Sequence, residues 1–301
     1  MKDQLSPVLL FTYNRPYTLK KTVAALQKNF LADKSRLYIF SDAAKSDKDA
    51  EAVQDVRTYI DTIRGFLDVE VIKSPWNKGL ADSIITGASR VINEYGKVIV
   101  LEDDLVSSPN FLSFVNQALN YYHDYEKVFS ISGFTMPMKN IDSDTYFTRR
   151  SSSWGWGTWK EKWNEVDWDV KDYRAFSKNE AVRTEFNKMG SDLSAMLDKQ
   201  MRGKINSWAI RWCYHQFKHD LYTLYPALSK ITNIGLESPD ATHTREKFSR
   251  FKTILDDTGK TYFTFNDHIE LNPRYIRQFV KPYSISQRVK YKLLNSLSWS
   301  V

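Results

Sequence analysis

Residues Val98–Leu105 read V-I-V-L-E-D-D-L, and this stretch decides the fold predicted for the chain around it. Its first four residues are apolar with no polar alternation, the pattern of a strand buried on both faces of a parallel sheet. Three carboxylates, Glu102, Asp103 and Asp104, follow and repel one another. Ligands of open α/β sheets bind at the carboxyl ends of the strands, where oxygen ligands suit Mg or Mn. We therefore expect a divalent cation here; an ordinary acidic turn is the alternative.

Alternating strands and helices around this stretch predict a mostly parallel central sheet with flanking helices. Three further apolar runs read as strands: Pro7–Tyr13, Arg36–Phe40 and Asp68–Ile72. Residues with helical spacing lie between the strands, at 18–30, 47–63 and 80–95. This order implies right-handed crossovers and an α/β fold. No G-x-G-x-x-G fingerprint or P-loop follows the first strand, which argues against nicotinamide-type dinucleotide folds and P-loop ATPases.

The composition limits the classes of partner. The chain has 301 residues, a net charge of +7 and one cysteine, Cys213. A positive charge favours a nucleotide, a nucleic acid or an anionic membrane surface, and no RNP, zinc-finger or helix-turn-helix signature supports nucleic acid. The lone cysteine excludes an internal disulfide, and no apolar run is long enough for a signal peptide or a membrane span. We therefore expect a cytoplasmic protein.

The second half of the chain mixes helices with short strands. We expect a helix from Ser107-Ser108-Pro109, with serine as the cap and proline just inside, to about Tyr125. The patterns then predict strands at 127–132 and 146–149, helices at 178–189, 192–202 and 207–219, a strand pair or bent strand at 221–234, and a hairpin at 254–270. A weak boundary near residue 143 would divide residues 1–143 from 144–283, with a tail at 284–301.

Two segments of unusual composition suggest binding surfaces. Residues 151–169 hold five of the nine tryptophans, and because aromatic rings stack on sugars, Trp154, Trp156 and Trp208 are candidates for binding a sugar acceptor. Packing in the core explains them equally well. The tail places four apolar residues on one helical stripe, with Arg288, Lys290 and Lys292 off it and Trp299 near the end. Such a helix is typical of an interfacial membrane anchor; a helix docked on the domain is the alternative.

Several motifs, taken together and in order, resemble glycosyltransferases of the GT-A fold. P-V-L-L-F-T-Y-N-R-P, S-D, N-K-G-L-A and L-E-D-D-L resemble the nucleotide-sugar half of that class. L-E-D-D-L with S-P-N-F, and W-G-W-G-T-W, are similar to N-acetylglucosaminyltransferase I. T-N-I-G-L-E-S-P-D-A-T-H resembles a loop of bacterial family-two sugar transferases of capsule and lipopolysaccharide clusters. The resemblance covers roughly residues 7–245. It implies metal-dependent transfer of a hexosyl or N-acetylhexosaminyl group from a nucleoside-diphosphate donor, preferably a UDP-sugar, to a glycan or lipid-linked acceptor.

The same resemblance assigns roles to single residues. It implies contacts with the nucleotide sugar for Arg15, Asp42, Asn77, Gly79, Glu102 and Asp103, and we add Tyr13 and Arg149 as candidates. It makes Asp104 a direct ligand of Mn or Mg. His243 matches a loop histidine that closes over the diphosphate and contributes to the metal site.

One departure concerns the catalytic base. The W-D-D-W helix of N-acetylglucosaminyltransferase I carries a carboxylate where this chain has Asn206-Ser207. An inverting transfer needs a base to deprotonate the acceptor hydroxyl, and the candidates in flanking loops are Asp167, Asp169, Glu237 and Asp240. Without a base, the enzyme either retains configuration or is a degenerate glycan-binding protein. A sugar nucleotidyltransferase is the third alternative, although its glycine-rich loop is missing.

Overall fold

The computed structural model describes residues 4–235 and 248–297. The strands in these ranges are β1 (Val8–Thr12), β2 (Arg36–Ser41), β3 (Asp68–Lys73), β4 (Lys97–Glu102), β5 (Leu105–Ser107), β6 (Val128–Ser132), β7 (Thr145–Thr148), β8 (Trp156–Trp159), β9 (Tyr222–Pro226) and β10 (Ile231–Asn233). The α-helices are α1 (Pro16–Gln27), α2 (Asp47–Ile60), α3 (Leu80–Tyr95), α4 (Phe111–Tyr121), α5 (Lys160–Asn164), α6 (Tyr173–Lys178), α7 (Glu180–Phe186), α8 (Leu193–Met201), α9 (Trp208–Lys218), α10 (Pro273–Val280) and α11 (Ile285–Leu297).

Eight of these strands form one sheet in the order β3-β2-β1-β4-β8-β6-β9-β7. The strands β1 to β4 are parallel, as the alternating sequence predicts. Strand β8 is inserted antiparallel between β4 and β6, and β7 runs antiparallel to β9 at the edge. The carboxyl ends of β1, β2, β4, β6 and β9 therefore meet at one edge of the sheet, which we call the carboxyl edge.

Successive residues of the central strands face two different cores. Leu10 and Ile99 belong to a core that contains residues of α1, α2 and α4. Leu9 and Val100 belong to a second core with residues of α3, α5 and α9. Because both faces are covered, the strands need apolar residues at every position, which explains the lack of alternation in V-I-V-L. A third cluster, built by α6 to α9, extends this second layer.

The sheet continues across the boundary predicted near residue 143, since β7, β8 and β9 share a sheet with β1 to β4. The predicted halves are thus parts of one structural unit.

The helix predicted from Ser107 starts later than expected. Ser107 ends β5, which pairs antiparallel with β10, and its hydroxyl accepts a hydrogen bond from Asn29 Nδ2 at 2.9 Å. Helix α4 begins at Phe111, with Asn110 as its N-cap. Pairing with β10 places Ser107 in a strand, so it cannot cap the helix as the sequence pattern predicted.

Two strand predictions are also wrong in detail. The strands β9 and β10 in the segment 221–234 pair with other strands, β6 and β5, and not with each other. Residues 254–270 form no hairpin, and their one backbone bridge joins Leu255 to Ser229. Instead this segment lies extended over α4, where Phe263 packs edge-on against Phe114 and Tyr122 donates to the carbonyl of Asn266. Burial against the helix replaces strand pairing.

None of the helices in the described part of the chain has the length and apolar character needed to cross a bilayer.

Candidate active site

The carboxyl edge brings Arg15 and Asp104 together. Arg15 lies in the loop after β1, Asp104 follows β4, and Arg15 Nη1 donates to Asp104 Oδ2 at 2.7 Å. Both side chains are less than one-fifth exposed. The second carboxylate oxygen, Asp104 Oδ1, is buried and accepts no hydrogen bond from the residues that the structure describes. A buried carboxylate oxygen without a partner is costly, because its desolvation is not compensated. The atom therefore suits a cation that the protein itself does not supply.

Gly235 closes over this ion pair. Ile234 N donates to the carbonyl of Asp104 at 2.9 Å, and Gly235 N donates to Asn233 Oδ1 at 2.8 Å. A Cβ at position 235 would lie 2.9 Å from Arg15 Nη1 and closer still to Asp104 Oδ2. Only glycine fits here without moving the pair. Gly235 is the glycine of the motif T-N-I-G-L-E-S-P-D-A-T-H, and the motif alone assigned it no role, because its significance comes from the approach of two distant segments.

Asp103 points toward β1 and away from Asp104. Its Oδ2 accepts hydrogen bonds from Thr12 Oγ1 at 3.0 Å and Tyr13 N at 3.1 Å. Burial and the charge of Asp104 raise the pKa of Asp103 to about 7, against the opposing effect of Arg15. Burial, together with the charges of Asp104 and Asp103, also holds the pKa of Glu102 well above its usual range. Asp103 therefore fixes the loop after β1. Nothing in the sequence around Thr12 indicated this contact.

A cation at this edge would have Asp104 as its ligand from the described residues. Within residues 4–235 and 248–297, no three His, Cys, Asp or Glu side chains converge on one metal position. The unpartnered Asp104 Oδ1 still fits a divalent ion, as a single hard oxygen donor that leaves coordination positions for phosphate and water. His243, Glu237 and Asp240, the other predicted loop residues, lie outside the described residues.

Asp42 organises the loop that precedes α3. Its carboxylate accepts hydrogen bonds from Lys78 N and Gly79 N, the second at 2.8 Å, and from Ala43 N. Asn77 Nδ2 donates to the carbonyl of Ala43 at 2.8 Å and joins the same two loops. The structure thus uses the Asp42 carboxylate to hold backbone, so Asp42 would act on a nucleotide through the loop that it positions.

A cavity of about 290 Å³ opens beside Asp42. It is lined by residues of β2, β3, α3 and the loop before α3, among them Lys73, Lys78 and Arg90. Gly79, the N-cap of α3, has φ +76° and no atom within 4 Å of where a Cβ would lie. Tyr13, from the neighbouring loop, accepts a hydrogen bond from Lys45 N at 2.9 Å through its hydroxyl. This part of the edge therefore combines open space with positive charge.

The predicted sugar platform is mostly core. Trp156 is 1% exposed, Trp208 is 3% exposed, and the ring of Trp156 lies 4.5 Å from that of Trp212. The prediction that Trp156 and Trp208 bind an acceptor is therefore wrong, since no ligand can reach them. Trp154 is only half-buried and lines a cavity of about 180 Å³ between the carboxyl edge and α8 and α9.

Arg149 lies at the opposite edge of the sheet. Because β7 runs antiparallel, its carboxyl end is next to the start of β9, and Arg149 pairs there with Asp220 at 2.6 Å. The prediction that Arg149 contacts the nucleotide sugar is contradicted by this position. The sequence could not show the direction of β7 within the sheet.

The two described candidates for the base differ in their surroundings. Asp167 accepts hydrogen bonds from Asp169 N at 3.2 Å and Lys171 N at 2.9 Å, so its carboxylate caps its own loop. Asp169 is exposed; burial lowers the pKa of Arg211, and the charges of Asp82, in the first turn of α3, and of Asp169 partly offset this effect. Asp169 therefore lies on the side of the carboxyl edge, and Asp167 is the weaker candidate because its carboxylate is engaged.

The family model of glycosyl transferase family 2 matches residues 8–192, from β1 to the start of α8 and including the whole Arg15–Asp104 site. The chain belongs to this family. The α/β fold with a mostly parallel central sheet, predicted as the GT-A fold, is thereby confirmed.

Solved glycosyltransferases show weaker similarities. The mannosyltransferase PcManGT from Pyrobaculum calidifontis, solved with GDP-Man and Mn2+, is 15% identical with a TM-score of 0.39; the match covers 52% of this chain and 45% of that one. The galactosyltransferase LgtC, solved with donor and acceptor sugar analogues, is 11% identical over 72% of each chain, with a TM-score of 0.38. TarS from S. aureus, as residues 1–349 with UDP, is 13% identical over 46% of this chain and 40% of that one, with a TM-score of 0.32.

The match thus spans less than half of PcManGT, and the family assignment rests on residues 8–192. No curated protein sequence matches the chain.

Proposed function

We propose that this protein is a glycosyltransferase with a divalent ion at Asp104. It moves a hexosyl or N-acetylhexosaminyl group from a UDP-sugar to a glycan or lipid-linked acceptor in surface polysaccharide synthesis. The observation that carries the proposal is the buried, unpartnered Asp104 Oδ1 at the carboxyl edge. A carboxylate oxygen in that state can bind a divalent cation, and a nucleoside-diphosphate donor brings the phosphates that such a cation also binds. UDP and the acceptor class come from the resemblance of the motifs.

Asp104 Oδ1 would hold Mn or Mg, with His243 as a second ligand from the loop after Gly235. When bound, the ion neutralises the negative charge that grows on the departing diphosphate. Arg15 contributes a fixed positive charge to the same place, since its pKa is raised by Asp103 and Asp104 although burial opposes this. Its guanidinium can also donate to phosphate oxygens, which match its planar geometry.

The rest of the donor would lie along the cavity beside Asp42. The Asp42 carboxylate and the Asn77 amide fix the two loops that border this cavity, so the site is formed before the donor arrives. Lys78 adds positive charge at its wall, whereas Lys73 is paired with Asp61. Fixed dipoles and charges of this kind favour a charged transition state without reorganisation during the reaction.

The acceptor would enter beside Trp154, from the cavity that Ser152, Ser153 and Phe251 also line. Trp154 offers the one half-buried indole of the three predicted platform residues, next to hydroxyl groups that can orient a sugar. Among the described residues Asp169 is the best-placed base, and Glu237 and Asp240 remain candidates. Alanine substitution of each in turn should identify the base by a loss of kcat with little change in donor affinity, and full turnover by all three variants would remove them from the mechanism.

The substitution Asp104→Asn tests the metal site with little change in shape. We expect it to abolish Mn-dependent binding of UDP in calorimetry, because the neutral amide cannot replace a carboxylate ligand. Asp220→Asn is the matched control, since Asp220 is an ion-paired aspartate at the opposite edge, and its variant should bind UDP like the wild type. Equal affinity of both variants would contradict the proposal. A panel of UDP, GDP and CMP with Mn then identifies the nucleobase of the donor. A glycan-binding protein would bind none of these nucleotides.

A further inference from the structure

Helix α11 contacts the rest of the protein through its polar side. The amide of Asn295 exchanges two hydrogen bonds with the main chain of Phe248, each 2.9 Å long. Arg288 Nη1 donates to Ser191 Oγ at 3.1 Å. These two residues and Tyr291, also half-buried, lie on one side of the helix. The helix is therefore docked on the described part of the chain through hydrogen bonds of its polar side chains.

The apolar side of the same helix faces solvent. Ile285, Val289, Leu293 and Leu297 recur every fourth residue and are 67%, 52%, 57% and 67% exposed. At about 100° per residue they form a stripe about 120° wide, on the side of the helix away from Arg288 and Asn295. A soluble helix normally buries this stripe and exposes the polar side. The reversed orientation leaves an apolar surface that needs another partner.

Positive charge surrounds this stripe. Lys290 and Lys292 fall on its two sides, and residues 272–297 contain six Lys and Arg and no Asp or Glu, against a net charge of +7 for the whole chain. A cavity of about 390 Å³ lies on the docked side of the helix, at Tyr291. Its lining includes four cationic residues and no acid: Lys139, Arg250, Lys252 and Lys281.

We propose that the outer face of α11 docks on an anionic phospholipid bilayer, with the apolar stripe in the acyl boundary and the surrounding lysines at the headgroups. Apolar burial and attraction to anionic lipid then act together, as in interfacial helices. A second copy of the chain is the less favourable occupant, because two such faces would bring Lys290 and Lys292, which flank the stripe, against the same two lysines.

The docking orients the site. Lys139 lies in the segment between the carboxyl end of β6 and β7, on the same edge of the sheet as Asp104, and lines a cavity with Tyr291 of α11, so a helix docked on the bilayer would connect the membrane to this edge. The acceptor is then carried by a membrane lipid. This consequence rests on the proposed function.

Vesicle co-sedimentation of the full chain tests the docking without donor or activity. Vesicles of phosphatidylcholine with about one-third phosphatidylglycerol are compared with pure phosphatidylcholine, at low and high salt. We expect binding to the anionic vesicles alone, weakened by salt. The variant Val289→Asp with Leu293→Asp should bind at least tenfold more weakly, and Lys290→Gln with Lys292→Gln about tenfold more weakly. Leu67→Asp, at a leucine 59% exposed elsewhere on the surface, should bind like the wild type.

Two results would overturn the proposal. One is wild-type binding that neither double variant weakens; the lysine variant keeps this outcome readable if the aspartate variant misfolds. The other is a wild-type protein that binds none of the vesicles. This result includes the case in which light scattering shows a wild-type dimer that the variant Val289→Asp with Leu293→Asp dissociates. Because vesicle binding needs neither UDP nor Mn, its failure is distinct from a failure of the proposed catalytic site.

Discussion

The close approach of Gly235 to the Arg15–Asp104 pair predicts a large effect for one added methyl group. In the variant Gly235→Ala the new Cβ would lie 2.9 Å from Arg15 Nη1 and nearer to Asp104 Oδ2, well inside ordinary contact distance. Since two main-chain hydrogen bonds, from Ile234 N and Gly235 N, fix the backbone here, the Asp104 side chain must rotate away. Its 2.7 Å hydrogen bond with Arg15 is then lost.

The magnitude follows from that contact. A hydrogen bond between charged groups contributes about 1.5–3 kcal/mol when one partner is removed, and overpacking costs about 1–3 kcal/mol. We expect the free energy of unfolding to fall by about 2 kcal/mol. Displacement of Asp104 Oδ1 should also weaken Mn-dependent UDP binding by about tenfold to a hundredfold, since about 1.4 kcal/mol corresponds to a factor of ten.

Calorimetry with UDP and Mn, paired with urea unfolding, measures both effects. Gly203→Ala is the control, because no atom lies within 4 Å of its Cβ position while its φ of +67° disfavours alanine. That variant should lose about 1 kcal/mol of stability from backbone strain and keep full affinity for UDP. If Gly235→Ala binds UDP as tightly as Gly203→Ala, Gly235 has no part in the site.

Two further predictions concern the core and its response to acid. Trp156→Ala should cost about 3–5 kcal/mol of unfolding free energy, because the ring is buried among three other indoles. Trp154→Ala should cost far less and should raise the KM for the acceptor. Equal losses of stability in urea would contradict this distinction. Burial alone would raise the pKa of Asp256, but hydrogen bonds from Lys230, Asn110 and Thr258 outweigh it and lower the pKa to about 2. The resulting stability is complete above the usual carboxyl pKa and is lost as the pH falls toward 2. Urea midpoints between pH 5 and pH 2 should therefore fall more steeply for the wild type than for Asp256→Asn, and parallel curves would show that this carboxylate has no such role.

Strands β1 and β4 could be predicted from sequence because both of their faces are buried. Runs such as Val98–Leu101 then need no alternation, and the parallel order follows from the helices between them. The insertion of β8 between β4 and β6 could not be predicted, since it depends on glycine at 157, where a Cβ would press on Val115 and the backbone of Val98. Pairings of this kind are set by contacts between distant segments.

The site was partly predictable for the same reason. Arg15, Asp42 and Asp104 directly follow strands, so a parallel sheet gathers them at one edge. Trp156 and Arg149 were misassigned because a residue type alone shows neither burial nor strand direction. An indole that stacks on a sugar and one that packs in a core have the same composition signal.

The most direct measurement is a crystal structure of the wild type grown with UDP and Mn, using the anomalous signal of manganese. We expect one anomalous peak in contact with Asp104 Oδ1 and with the diphosphate, and a uridine in the cavity beside Asp42. A manganese peak away from Asp104, or a nucleotide bound elsewhere on the protein, would contradict this expectation.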